Sequence, residues 1–167
     1  MKSKNITIDD ILKIHKHPAS VLFRTIELKA IHNTCCNIDF KSPSIDIGCA
    51  DGKISNLLFD SKFTYGLDNG EVDDYKDAIK NDVFKKVYIQ SATNMDLKNN
   101  SVNFAFSNSV LEHIKDVDSV LNETYRILNT GGYFVFTVPS IYFYNFLHFK
   151  DPFTKFYSNK LNKKLNH

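Results

Sequence analysis

The 167-residue chain is poor in the features that announce a specialised class. Its three cysteines, Cys35, Cys36 and Cys49, have no metal-ligand spacing. Adjacent cysteines rarely pair and the number is odd, which excludes a disulfide framework and points to a reducing compartment, the cytoplasm. The histidines His15, His17, His32 and His148 also lack metal spacing, so no metal is expected. No run approaches the roughly eighteen apolar residues of a membrane span. The opening MKSKNITIDD lacks the apolar core of a signal peptide. A formal net charge of +2 with no clustered basic face gives no reason to expect a nucleic-acid partner. Internal repeats, linkers and low-complexity tracts are missing. What remains, 43% hydrophobic and 24% charged, is the composition of an ordinary globular domain long enough to bury a core.

The pattern that is present alternates strands with helices. Thr7 and Asp10 have capping-box spacing and open a helix through about His17, which Pro18 ends. A second helix is expected over 19–33, with Leu22, Ile26 and Ala30 on one face. Strands are expected at 44–48, 63–68, 86–90, 102–108 and 133–139, the fourth with the poor alternation of a strand covered on both faces. Helices are expected over 52–59, 73–82 and 116–129, the last closed by the glycines of 130–132. Such alternation implies parallel pairing and a doubly wound α/β sheet with helices on both faces. The chain reads as a single domain: N-terminal helices in 1–34, a core in 40–140, and an aromatic then basic tail in 141–167.

In such a sheet, ligands bind beyond the carboxyl ends of the strands. The stretch SIDIGCADGKIS, residues 44–55, places Gly48, Ala50 and Gly52 in the loop after the first strand, where a bare backbone admits a ligand. A phosphate-binding P-loop is excluded, because Gly48 to Gly52 is one residue short and Ile54 replaces the magnesium-binding hydroxyl. The dinucleotide fingerprint fails at Lys53, and Asp51 would repel a pyrophosphate. Asp46 and Asp51 suit a ligand with a positive or neutral centre. Asp68, at the end of the second strand, can accept hydrogen bonds from both hydroxyls of an unphosphorylated ribose. An adenosine carrying a cationic sulfonium meets both conditions.

The segments IDIGCADGKIS, YGLDN and FAFSNSVLEHIKDVDSVLNETYRILNTGGYFVFTVPS together resemble the class I S-adenosylmethionine-dependent methyltransferases, in the small-molecule, type 11-like group. The resemblance covers about residues 40–140. It implies a Rossmann-like sheet and S-adenosylmethionine as cofactor. It further implies that Asp46, Gly48, Cys49, Ala50 and Gly52 cradle the methionine part, with Ala50 in place of the usual middle glycine. Asp68 then holds the ribose and Asn69 flanks the adenine. In the turn SATNM, Ser91 stands where aspartate is common, and Ala92, Thr93 and the Met95 side chain meet the ring. Asn108 and Ser109 match positions that line the methionine side through backbone groups, and Glu112 and His113 match a following signature pair. His113 is either a general base or, with Glu112, a residue that orders the loop.

Members of this family normally have seven strands. Two explanations of the tail follow: a chain truncated at its carboxyl end with the fifth strand as an exposed edge, or a tail folded over that edge, alone or in a homodimer. Two classes of function stand beside these. One is methyl transfer to a small-molecule acceptor, with the segment HPASVLFRTIELKAI resembling methyltransferases of cell-surface sugar pathways. The other is a non-catalytic methyltransferase-like domain that binds a cofactor or partner. An NAD-binding domain is disfavoured by Lys53 and Asp51.

Overall fold

The most central strand is buried at every position. β1 (Ser44–Ile47) lies between β2 (Tyr65–Asp68) and β4 (Val102–Asn108), parallel to both. β3 (Lys86–Ile89) flanks β2, and β5 (Leu128–Thr137) flanks β4. The result is a five-stranded parallel sheet in the order β3-β2-β1-β4-β5. The chain steps outward from β1 to β3 and then returns to the other side of β1, so the switch point lies between β1 and β4. This computed structural model describes residues 1–140. The expectations for 141–167, a tail that folds over the edge or mediates a dimer, lie outside the described residues.

Alternation along the strands sends side chains to two cores. Phe104 and Phe106 of β4 join Phe40, Phe59, Phe63, Leu28 and Ile31 on one face of the sheet. Ala105 of β4 and Ile45 and Ile47 of β1 join Val120 and Ile127 on the other. The first core is aromatic: the Phe40 and Phe104 rings stack at 3.9 Å, and Phe59 meets Phe40, Phe104 and Phe106 edge-on. Such pairs add about 0.5–1.5 kcal/mol each beyond their buried area.

α1 (Ile8–Leu12) starts with the expected reciprocal capping of Thr7 and Asp10 but stops well short of His17. Pro18 explains this. It is the first residue of α2 (Pro18–Cys35) and its ring holds His17 extended, so it starts a helix as well as barring the previous one. α2 is also turned differently from expectation. Leu22 and Ile26 are 58% and 59% exposed, while Val21, Thr25, Leu28, Ile31 and Cys35 face the sheet. The hydroxyl of Thr25 tolerates burial because it donates to the Val21 carbonyl at 2.7 Å.

α3 (Lys53–Leu58) and α4 (Tyr75–Lys80) follow β1 and β2. α5 (Val117–Ile127) is capped by Asp116, whose carboxylate accepts from Ser119 N–H. Gly131 and Gly132 do not close this helix. β5 begins immediately at Leu128, paired with Val102, and the pairing resumes at Tyr133 opposite Phe104 after a register shift. Gly131, at φ +79°, lies inside that irregularity, so the glycines shape the strand rather than stop the helix.

Candidate functional site

The loop from β1 to α3 has left-handed residues at alternate positions: Gly48 at φ +73°, Ala50 at +45° and Gly52 at +71°. Neighbours as well as dihedrals demand the glycines. A Cβ at Gly48 would fall inside both methyls of Val110, and one at Gly52 would strike Val83 and Phe84. Ala50 adopts the same conformation with a side chain, at a strain of about 1 kcal/mol. The loop is tied to β2 by its backbone. Gly48 and Cys49 N–H both donate to the Leu67 carbonyl, at 2.7 and 3.0 Å, and Ala50 N–H donates to Asp68 Oδ2 at 3.1 Å.

Asp68 therefore faces the glycine loop. Its other oxygen, Oδ1, accepts from Gly70 N–H at 2.9 Å. Each carboxylate oxygen thus has one backbone donor among the described residues and keeps a lone-pair direction free. Asp46 lies deeper, fully buried. Burial pushes its carboxyl up to about 7, the Ser55 hydroxyl opposes the shift, and the nearby Asp68 charge adds to it. Asp74 is also raised, by burial and then by Asp68. Burial, with Asp46 and Asp68 behind it, raises the Cys49 thiol far above its ordinary range, so it is not a nucleophile here. Asp51 accepts from the Lys53 ammonium at 2.6 Å, which cancels the one cation in the loop sequence. Asp68 therefore has no cation paired to it among the described residues.

Asn69 is exposed and caps its own turn, its Oδ1 accepting from Glu71 N–H at 3.0 Å. In the turn after β3, Ser91 does locally what an aspartate would do: its Oγ accepts from Thr93 N–H at 3.2 Å and lies 2.8 Å from Thr93 Oγ1. Ala92 is buried, and no described residue accepts from its N–H. Met95 does not line an open site. It is 3% exposed in the second core, its N–H donates to Glu123 and its carbonyl accepts from Arg126. Gln90, which sequence reasoning passed over, is held against the acid by a 2.8 Å bond from its N–H to the Asp68 carbonyl. Its Nε2 is buried without a partner. Only its place directly after β3 could have marked it.

The end of β4 is built differently. Asn108 Nδ2, Ser109 Oγ and Thr137 Oγ1 donate to Glu27 Oε1 at 2.7, 2.9 and 2.8 Å, and Arg24 Nη1 pairs with Glu27 Oε2 at 2.6 Å. Arg24 and the hydrogen bonds together hold the Glu27 carboxyl below its usual range against its burial. Asn108 and Ser109 thus turn their side chains to α2, and Ser109 N–H is taken by the Thr137 carbonyl and hydroxyl, both at 3.2 Å. His113 is the exposed end of a 3-10 turn, Leu111–His113, anchored by buried Leu111, and its ring makes no hydrogen bond to a described residue. Glu112 is exposed beside it. The fold gathers Asp46, Gly48, Cys49, Ala50, Gly52, Asp68 and Gln90 at one end of the sheet. Among the described residues no group of three or more His, Cys, Asp or Glu could hold a metal ion, and no helix is long and apolar enough to cross a membrane.

This arrangement has the acceptor groups for a neutral or cationic ligand with a pair of hydroxyl donors. The profile of a family described as a methyltransferase domain matches residues 45–136. No curated protein sequence matches the chain. A solved structure from Thermotoga maritima, described as an S-adenosylmethionine-dependent methyltransferase and possible histamine N-methyltransferase, is similar at 23% identity, covering 83% of this chain and 65% of its own, with TM-score 0.61. A putative S-adenosylmethionine-dependent methyltransferase from Methanococcus maripaludis is 20% identical over 99% of this chain and 85% of its own, with TM-score 0.58. A Haemonchus contortus phosphoethanolamine N-methyltransferase, solved with phosphoethanolamine and S-adenosylhomocysteine, is 16% identical over 71% of this chain and 26% of its own, with TM-score 0.57. The chain thus spans just under two thirds of the length of the Thermotoga protein.

Proposed function

Because the chain belongs to the methyltransferase-domain family, we propose that it binds S-adenosylmethionine beyond the carboxyl ends of β1, β2 and β3 and transfers the methyl group to a small-molecule acceptor. Asp68 carries this reading. A nearly buried carboxylate with one backbone donor on each oxygen is prepared for two more, and the vicinal hydroxyls of a ribose supply them. The orphaned donor of Gln90 beside it fits a ring nitrogen of adenine, with Ala92 and Thr93 along the same edge. The carboxylate of Asp68, with Asp46 beside it ready to ionise against a cation, suits the ammonium and sulfonium charges.

When bound, the cofactor supplies an electrophilic methyl carbon on a good leaving group. The work left to the chain is alignment and exclusion of water, and proximity of this kind contributes several kcal/mol. Gly48, Cys49, Ala50 and Gly52 form the floor, fixed to β2 by the bonds to Leu67 and Asp68. A hydroxyl or carbon-acid acceptor also needs a proton acceptor, and His113 is the residue proposed for that task. With an acceptor in hand, His113→Ala should lower kcat by about a hundredfold; unchanged turnover removes it from the mechanism.

Calorimetric titration with S-adenosylmethionine, S-adenosylhomocysteine and NAD tests the cofactor reading. Saturable binding of the first two and none of the third is the expected result. A folded chain that binds neither sulfur nucleoside overturns it and leaves the non-catalytic reading.

A further inference from the structure

Arg24 has no part in the cofactor site proposed above. It projects from α2 to the ends of β4 and β5, on the opposite side of β1 from the acids of β2. Its bonds to described residues all run through one nitrogen: Nη1 donates to Glu27 Oε2 at 2.6 Å, Asn108 Oδ1 at 3.2 Å and Ser109 Oγ at 3.1 Å. Nε and Nη2 make no hydrogen bond to a described residue, and the side chain is 30% exposed. Those two nitrogens form the flat fork that matches a carboxylate or phosphate in two parallel bonds.

Glu27 does not compete for that fork. Its Oε1 is filled by Asn108, Ser109 and Thr137, and its Oε2 by Arg24 Nη1. The network therefore orients the guanidinium without consuming it. The place is also beside the cofactor loop. Val110, next to Ser109, rests on Gly48. With ribose at β2 and adenine at β3 in the reading above, the β4 side of β1 is left for an acceptor.

Resting on the cofactor reading above, we propose that Arg24 is the anion-recognising residue of the acceptor subsite, and that the acceptor carries a carboxylate or phosphate group. The same fork could take the carboxylate at the methionine end of the cofactor, and the experiment separates the two sources.

The chain, Arg24→Gln and Arg24→Lys are titrated with S-adenosylhomocysteine and with its decarboxylated analogue. Each loaded protein is then titrated with inorganic phosphate and with acetate. The loaded wild type should take one of the anions saturably. Arg24→Gln should weaken it by about tenfold or more, and Arg24→Lys, which keeps the charge and the pairing with Glu27, by less. Affinity for S-adenosylhomocysteine should stay within about threefold in both variants. Anion binding that is absent, or unchanged in Arg24→Gln, overturns the proposal while the cofactor reading stands. Loss of S-adenosylhomocysteine affinity in Arg24→Gln without loss for the decarboxylated analogue assigns Arg24 to the cofactor and overturns it too. Failure of the wild type to bind S-adenosylhomocysteine overturns both readings.

Discussion

The two halves of the sheet end in opposite chemistry. At β1 and the tip of β2 sit two buried carboxylates with no cation paired to them among the described residues: Asp68 is held by two backbone amides with lone pairs to spare, and Asp46 is met by the Ser55 hydroxyl. At the tips of β4 and β5 the groups answer one another: one carboxylate, two hydroxyls, an amide and one nitrogen of a guanidinium close into a network with α2. The first rim keeps acceptor capacity that the described residues do not fill. The second is finished, and its product is a fixed helix with one guanidinium edge left outward. Polar groups at strand ends are thus not equivalent: what matters is whether the chain itself satisfies them.

That contrast can be broken most sharply at Asp68. Asp68→Ala should weaken S-adenosylhomocysteine by about a hundredfold, the loss of two charge-assisted hydrogen bonds, read by calorimetry on a chain shown folded by circular dichroism. Retained affinity would mean that the first rim is merely a turn. Glu27→Ala should do the reverse. It strands Arg24 and three donors, so denaturant unfolding should show a loss of about 2–3 kcal/mol, with cofactor affinity little changed.

Asp46 sharpens the comparison through pH. Its folded value, raised to about 7, exceeds the ordinary carboxylate value of 3.8, so the folded chain holds a proton that the unfolded chain has released between those limits. Its contribution to stability is therefore present below about pH 4 and is lost as pH rises through about 7. A cationic ligand favours the ionised form, so cofactor affinity should increase by up to about tenfold from pH 6 to 8, with proton release in calorimetry. Asp46→Asn should flatten that rise. The smallest effect belongs to Ala50→Gly, which relieves a left-handed alanine and should raise stability by about 0.5–1 kcal/mol in thermal unfolding.

Much of the first rim was legible in the sequence, because it is local. Asp46 lies in β1, Gly48, Ala50 and Gly52 in the loop directly after it, and Asp68 ends the next strand. The second rim was not. Glu27 and Asn108 are 81 residues apart in the chain, and nothing in either neighbourhood reports the other. The exposed face of α2 was misread because Leu22, Ile26 and Ala30 make the more regular apolar stripe, whereas the buried face includes Thr25, whose hydroxyl is satisfied within its own helix. The start of β5 was misplaced because Gly131 and Gly132 punctuate a helix as readily as they bend a strand. Met95 was read as a ring contact from its place in a loop, but its length lets it reach the core.

The seating of Val110 on Gly48 has a consequence for how such chains can change by descent. A side chain at 48 has no room while valine stays at 110, and a smaller residue at 110 leaves a void above a bare glycine. Each single step is costly, and only the pair exchanged together is cheap. Two positions in different loops, each ordinary alone, should therefore be inherited as one character.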